Sequence, residues 1–264
     1  MFNLQSFTED CLSIREQSPL VHNITNYVAM NIAANALLAI GASPLMSFCK
    51  EEMEEIVSIS SSLVINIGCL DQNEIEGMHA AAATAHKLGK PWVLDPVGAG
   101  ASTLRTQTSM ELIRKYKPAI IRGNASEIMC LAGEEIKSRG VDSSASSSSA
   151  IEAAKSLALS TGAVVSVSGE TDYITDGTRV GTIANGSPLM PKVTALGCTA
   201  SAVTGAFAAI SNDYFNAALN AMALMGVAGE LAAEDCPGTG TLALRFIDNL
   251  SKLDPASAAK LVRE

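Results

Sequence analysis

Residues 62–100 read SLVINIGCLDQNEIEGMHAAAATAHKLGKPWVLDPVGAG. SLVINIG is apolar at almost every position and ends in glycine, the pattern of a strand buried on both faces of a parallel sheet. NEIEGMHAAAATAHKLGK follows as a helix closed by Gly89. PWVLDPVGAG is then a second strand that runs into a glycine-rich turn. A strand, a helix and a strand in this order form a right-handed βαβ crossover with parallel strands.

The same alternation extends both ways. Upstream, Leu4, Phe7, Cys11, Leu12 and Ile14 repeat at helical spacing over residues 4–17. PLVHNI is a short strand. Thr25 or Asn26 then caps a helix over about 27–40, apolar on nearly every side through Tyr27, Val28, Met30, Ile32, Ala33, Leu37 and Leu38. Such a helix is expected to be sandwiched between the sheet and another layer or subunit. ASPLM is a strand and KEEMEEIVSIS an amphipathic helix. Downstream, residues 103–116 form a helix, AIIRGN a strand and ASEIMCLAG a short helix. SSASSSSA (143–150) reads as a solvated loop that caps the next helix. AVVSVSG is an inner strand, and DYITDG with RVGTIANG an edge hairpin turned at Asp176-Gly177. From Gly197 the chain is helical over 197–211, 214–234 and 239–251. The expected fold is α/β: a three-layer α/β/α unit with a central, mostly parallel sheet and a small edge hairpin, spanning residues 1–264 as one domain.

Composition agrees. Of 264 residues, 48% are hydrophobic and only 4% aromatic, which suits helices on a sheet better than an aromatic-rich sandwich. The formal charge is −9, with no cluster of lysine or arginine, so the field repels nucleic acid and anionic membrane. An anionic ligand must be held by local donors. The six cysteines at 11, 49, 69, 130, 198 and 236 include no CxxC pair, which argues against zinc. They read as reduced thiols of a cytoplasmic protein without disulfides. No apolar run is long enough for a transmembrane helix, and the N-terminus is not a basic leader.

In an open α/β sheet, ligands sit beyond the carboxyl ends of the strands. Asp95, Arg122, Ser168 and the 195–199 turn all fall there. LDPVGAGAS (94–102) has one carboxylate beside glycines, which suits a magnesium shell near a polyphosphate as well as it suits a tight turn. In RGNASEIM, Asn124 and Glu127 have the spacing of a capping box, and Glu127 could equally face a metal-bound water; spacing favours the cap. VTALGCTAS is the sharpest signal. The N–H groups of Gly197, Cys198 and Thr199 at a helix start could hold a phosphoryl group. The same field is expected to lower the Cys198 pKa, although a buried cysteine is usually a small hydrophobe. VHNITNYVAMN offers amide side chains to a polar atom of a mostly apolar ligand, and Met46 a soft surface to pack on it. His79 and His86 read as surface or packing residues.

With these stretches side by side, the sequence resembles the hydroxyethylthiazole kinases of thiamin salvage, in the ribokinase-like superfamily. The resemblance rests on VHNITNYVAMN…ANALLAIGASPLM (21–46), LVINIGCL (63–70), GKPWVLDPVGAGAS (89–102), IIRGNASEI (120–128), RGVDS (139–143), VVSVSGETDYITDG (164–177) and GCTASAVTGAFAA (197–209). It implies ATP-dependent phosphorylation of the primary alcohol of 4-methyl-5-(2-hydroxyethyl)thiazole, with magnesium, by a homotrimer whose pockets lie between subunits. By matching motifs it implies that Asn26 and Met46, with Ala195 and Gly197, meet the thiazole. Arg122 and Ser168, with Gly197 and Thr199, would meet the ATP phosphates, and Asp95 and Glu127 would lie near magnesium. Cys198 would take the catalytic-base position, where ribokinase relatives carry aspartate. Two departures stand out: Ser168 where the family usually has threonine, and Ala195 where it usually has glycine. The second adds a methyl group, and strain if the backbone needs a positive φ.

Three other readings compete. A hydrolase with Cys198 as nucleophile needs a histidine beside the thiol. A thiazole or nucleotide sensor without turnover would follow if Ala195 disabled the site. An ATP-dependent dehydratase of the same superfamily is opposed by the 21–46 stretch, which matches the thiazole kinases.

Overall fold

Strands alternating with helices place parallel strands side by side, and here they form one continuous sheet. The computed structural model describes residues 2–133 and 147–264. Its strands are β1 (Leu20–Ile24), β2 (Ser43–Met46), β3 (Ser62–Asn66), β4 (Trp92–Asp95), β5 (Ile120–Asn124), β6 (Val164–Ser168), β7 (Asp172–Thr175) and β8 (Val180–Ile183). The sheet order is β2-β1-β3-β4-β5-β6-β7-β8. The first six are parallel, and β7 and β8 form the expected antiparallel edge hairpin. The chain steps outward from β1 to β2, then returns to the other side of β1 as β3. That reversal opens a crevice beyond the carboxyl ends of β1 and β3, the place where open α/β sheets bind ligands.

Alternation along each strand sends side chains to two apolar layers. Val64, Val93 and Ile120 face one cluster with α1 (Leu4–Gln17), α2 (Met30–Ile40), α8 (Leu196–Ile210), α9 (Tyr214–Ala233), α10 (Thr239–Lys252) and α11 (Pro255–Ala259). Leu63, Ile65, Trp92, Leu94 and Ile121 face the other, with α3 (Met53–Ile59), α4 (Gln72–Leu88), α5 (Thr103–Tyr116), α6 (Ala125–Leu131) and α7 (Ser147–Thr161). The result is a three-layer α/β/α architecture. α8 lies so close to the sheet that a Cβ at Gly205 would overlap Val64 Cγ2 and sit 3.2 Å from Val21 Cγ1. Ser62 Oγ donates to the Gly205 carbonyl at the same contact, 2.7 Å.

Local rules explain most boundaries. Asp71 and Glu74 form a capping box at the start of α4, and Gly89 ends it with φ 64°. Ser102 caps α5. Four expectations are corrected. The helix expected from residue 27 begins at Met30, after a turn over residues 27–29 in which Asn26 Oδ1 takes the Ala29 N–H as a capping side chain does. The helix expected from residue 50 opens with a 3-10 turn, Lys50–Glu52. Ser147–Ala150, read as loop, belong to α7; residues 143–146 and the whole of RGVDS (139–143) lie outside the described residues. The short α11, with Pro255 in its first turn, was not foreseen. By length and composition α9 is apolar enough to cross a membrane, but it is mostly buried inside the protein as a core helix. All six cysteines are unpaired.

Candidate active site

The register of the sheet brings the strand ends into line. Asn66 pairs with Asp95 at the ends of β3 and β4, and Asn124 with Ser168 at the ends of β5 and β6. Asn26 stands just past β1. Across the crevice, Asn26 Nδ2 donates to Asn66 Oδ1 at 2.9 Å and to Cys198 Sγ at 3.3 Å. Asn66 Nδ2 donates to Asp95 Oδ2 at 2.6 Å, and Ser201 Oγ donates to the same oxygen at 2.7 Å. One buried chain of hydrogen bonds thus joins β1, β3, β4 and α8. Asn66 and Ser201 were not singled out in the sequence. Both lie in stretches that carry the resemblance, LVINIGCL and GCTASAVTGAFAA, but Asn66 ends an apolar strand and Ser201 stands among small helix residues, so neither was given a role.

Charge is concentrated here. Burial pushes the Asp95 carboxyl up to about 6, against the pull of the Arg122 guanidinium, while Glu127 adds to the rise. Arg122 is 7% exposed, and its Nε is buried with no hydrogen-bond partner among the described residues. A buried guanidinium with an idle donor is suited to an anion. It lies beside the start of α8, with a terminal nitrogen 3.6 Å from where a Cβ on Gly197 would be. Asp172, also missed in the sequence, begins β7. Its Oδ1 accepts from the Gly169 N–H at 3.0 Å, and burial pushes its carboxyl up to about 6.

The start of α8 confirms part of the sequence reading and corrects part. Ala195 sits at φ 66°, ψ 3°, the left-handed conformation that glycine adopts freely. No side chain caps the helix, so the N–H groups of Leu196, Gly197 and Cys198 stay available. Thr199 is different from expectation. Its N–H and its hydroxyl both donate to the Ala195 carbonyl at 2.9 Å, because the helix starts one residue earlier than assigned. Thr199 therefore locks the turn with both of its donors. The expected fall in the Cys198 pKa is also overturned: burial raises it, and the Asp95 charge raises it further, against Asn26, Asn66 and Arg122. Among the described residues no histidine hydrogen-bonds Cys198. His22 Nε2 meets the Ser47 carbonyl, and His79 packs on Tyr116.

Glu127 forms the capping box the spacing favoured, with Oε2 accepting from the Asn124 N–H at 2.8 Å. Its Oε1 accepts from the Gly98 N–H at 2.8 Å and so holds the glycine-rich loop. Arg105, not foreseen, clamps that loop to the end of β3 by donating to the carbonyls of Ile67, Val97 and Gly68. The Ser168 hydroxyl reaches the Gly123 carbonyl at 3.4 Å. Met46 ends edge strand β2 opposite Asn23, partly buried and outside the Asn26–Asp95 chain of hydrogen bonds.

Comparison with known proteins gives this geometry a family. The hydroxyethylthiazole kinase of Brachyspira hyodysenteriae is 56% identical over 251 residues, covering 95% of each chain. That of Leptospira biflexa is 53% identical over 251 residues, covering 95% of this chain and 94% of the relative. The solved hydroxyethylthiazole kinase of Pyrococcus horikoshii superposes with TM-score 0.88 at 39% identity, over 95% of this chain and 94% of that one. A pyridoxal kinase of Bacillus subtilis, solved with ADP, shares the fold at TM-score 0.60 and 16% identity, over 79% of this chain and 90% of that one. The Hydroxyethylthiazole kinase family profile matches residues 12–256. With the profile covering most of the chain and relatives of one name above half identity, the chain belongs to the hydroxyethylthiazole kinase family.

Proposed function

We propose that this kinase transfers the γ-phosphoryl group of ATP to the primary alcohol of 4-methyl-5-(2-hydroxyethyl)thiazole, giving the thiazole phosphate used to make thiamin. The observation that carries the reading is the meeting of an uncapped helix start, Gly197-Cys198, with the idle buried guanidinium of Arg122. Donors fixed in advance at one point are what a transferring phosphoryl group needs, since its transition state is loose and stabilised mainly by position and charge. Arg122 and Ser168 take the phosphates. Asn26 would turn to the thiazole the N–H that it now gives to Cys198, with Met46, Ala195 and Gly197 around the ring.

The donor set fits magnesium. Asp95 Oδ2 takes the side-chain hydrogen bonds of Asn66 and Ser201, and Glu127 stands near enough to raise the Asp95 pKa. No cluster of three or more metal-ligating side chains occurs among the described residues, as suits an ion held by one or two carboxylates, phosphates and water. Asp95 and Glu127 would hold it, and it would neutralise charge on the phosphates. We place the protein in the cytoplasm, as one kinase domain over residues 1–264 that forms a homotrimer.

Cys198 occupies the base position. Its raised pKa keeps the thiol protonated near neutrality, so only a small thiolate fraction accepts the proton of the alcohol, and that fraction grows tenfold per pH unit. A loose transition state tolerates so weak a base. ADP release with Mg-ATP and hydroxyethylthiazole tests this. Wild-type turnover should rise from pH 7 to pH 9, fall by about 10²-fold or more in Cys198→Ala, and persist with a flatter pH profile in Cys198→Asp. Thiazole binding without turnover would replace the kinase reading with a sensor.

A further inference from the structure

Asn66 is 1% exposed at the end of an apolar strand, and its amide is used at both ends. Oδ1 accepts from Asn26 Nδ2 and from the Gly68 N–H, each at 2.9 Å. Nδ2 donates to Asp95 Oδ2 at 2.6 Å. The polarity is set from outside. Asn26 Oδ1 is already taken by the Ala29 N–H, so Asn26 can offer Asn66 only its NH₂. A carboxylate oxygen of Asp95 accepts, so Asn66 must turn its own NH₂ that way. Leucine supplies neither group, aspartate supplies a donor only by sharing a proton with Asp95, and glutamine is one methylene too long for the same span. Ser201 adds a second donor to Asp95 Oδ2.

We propose that Asn66 is a positioning residue for phosphoryl transfer, locking the Asn26 amide and the Asp95 carboxylate into one rigid unit across the crevice between β1 and β3. The inference rests on the reading above, in which Asn26 meets the thiazole and Asp95 lies on the phosphate side. Asn66 touches neither substrate. It fixes the separation between the group that orients the alcohol and the group that manages charge at the phosphate. Connected buried amides of this kind hold geometry because each member would be costly to leave unpaired.

The two ends of the amide can be tested apart. Asn66→Ala removes both. Asn66→Asp keeps the acceptor for Asn26 and Gly68 and replaces the fixed amide donor by a carboxyl that must share one proton with Asp95. Hydroxyethylthiazole binding is measured by calorimetry without metal or nucleotide, alongside kcat and KM for ATP. In Asn66→Ala, the thiazole Kd should rise about tenfold and kcat fall roughly 30-fold or more. In Asn66→Asp, the Kd should stay within about threefold of wild type while kcat falls as far as in the alanine variant. KM for ATP should change less than kcat in either, because Asn66 reaches the phosphate side only through Asp95 and bonds to neither Arg122 nor Ser168. A general structural collapse would move all three readings together. If Asn66→Ala does not fold, the equal-sized Asn66→Asp carries the test. Wild-type kcat in Asn66→Asp, or thiazole binding weakened equally in both variants, overturns the positioning role alone. A wild-type protein that neither binds nor phosphorylates the thiazole overturns the substrate reading and this role with it.

Discussion

Ala195 carries a cost that the rest of the α8 start repays. A left-handed alanine is disfavoured by about 1–2 kcal/mol, because its Cβ crowds the following carbonyl. The turn keeps that conformation since Thr199 bonds the Ala195 carbonyl twice. Ala195→Gly should therefore stabilise the protein by about 0.5–1 kcal/mol, after subtracting the greater freedom of glycine in the unfolded chain. The melting temperature should rise by about 1–4 °C; a fall would mean that the methyl group packs better than it strains. The position of Ala195 was legible in the sequence, as was the placing of Asp95 and Ser168 at strand ends, whereas Arg122, expected at a strand end, lies inside β5. Asn66 was not, because its partners lie 40 and 29 residues away along the chain. Nor was the Cys198 pKa. The field of a helix start can be inferred from local sequence, but burial among Asp95 and its neighbours belongs to the folded chain.

At the scale of the element, α8 does two jobs with one rod. Its first turn faces the crevice, and two turns later Gly205 presses against β3 and β1. A methyl group at Gly205 has no room against Val64 and Val21, and the helix must lift to admit it. Gly205→Ala should cost about 1–3 kcal/mol and lower the melting temperature by several degrees. Because the rod is stiff, turnover should fall too; unchanged activity and melting would show that the contact relaxes freely. The regular elements were readable because capping and periodicity are local. α5 falls on the expected residues 103–116, between a serine cap and a left-handed Lys117. The start of α2 was misread for the complementary reason. Tyr27 and Val28 look helical by composition, but the chain first makes a turn capped by the Asn26 side chain.

The whole molecule has an outer surface that its own chain leaves incompletely covered. Tyr27, Val28 and Leu38 are each 60% exposed or more around the first residues and body of α2. A homotrimer would cover them. Sedimentation should then give about three times the 27.3 kDa chain mass, and Leu38→Asp should shift it toward the monomer and reduce turnover with little loss of monomer stability. A wild-type monomer would remove the trimer from the reading. The order of the sheet has a different consequence, one that concerns synthesis. A ribosome that has released the chain through Ala195 has made every strand of the sheet, with Asn26, Asn66 and Asp95 among them, but not one residue of α8–α11. Those four helices cover much of one apolar face of the sheet. A chain interrupted there carries a finished sheet with that face still open, inactive and prone to aggregate. Turnover by this enzyme therefore certifies that translation ran past α8.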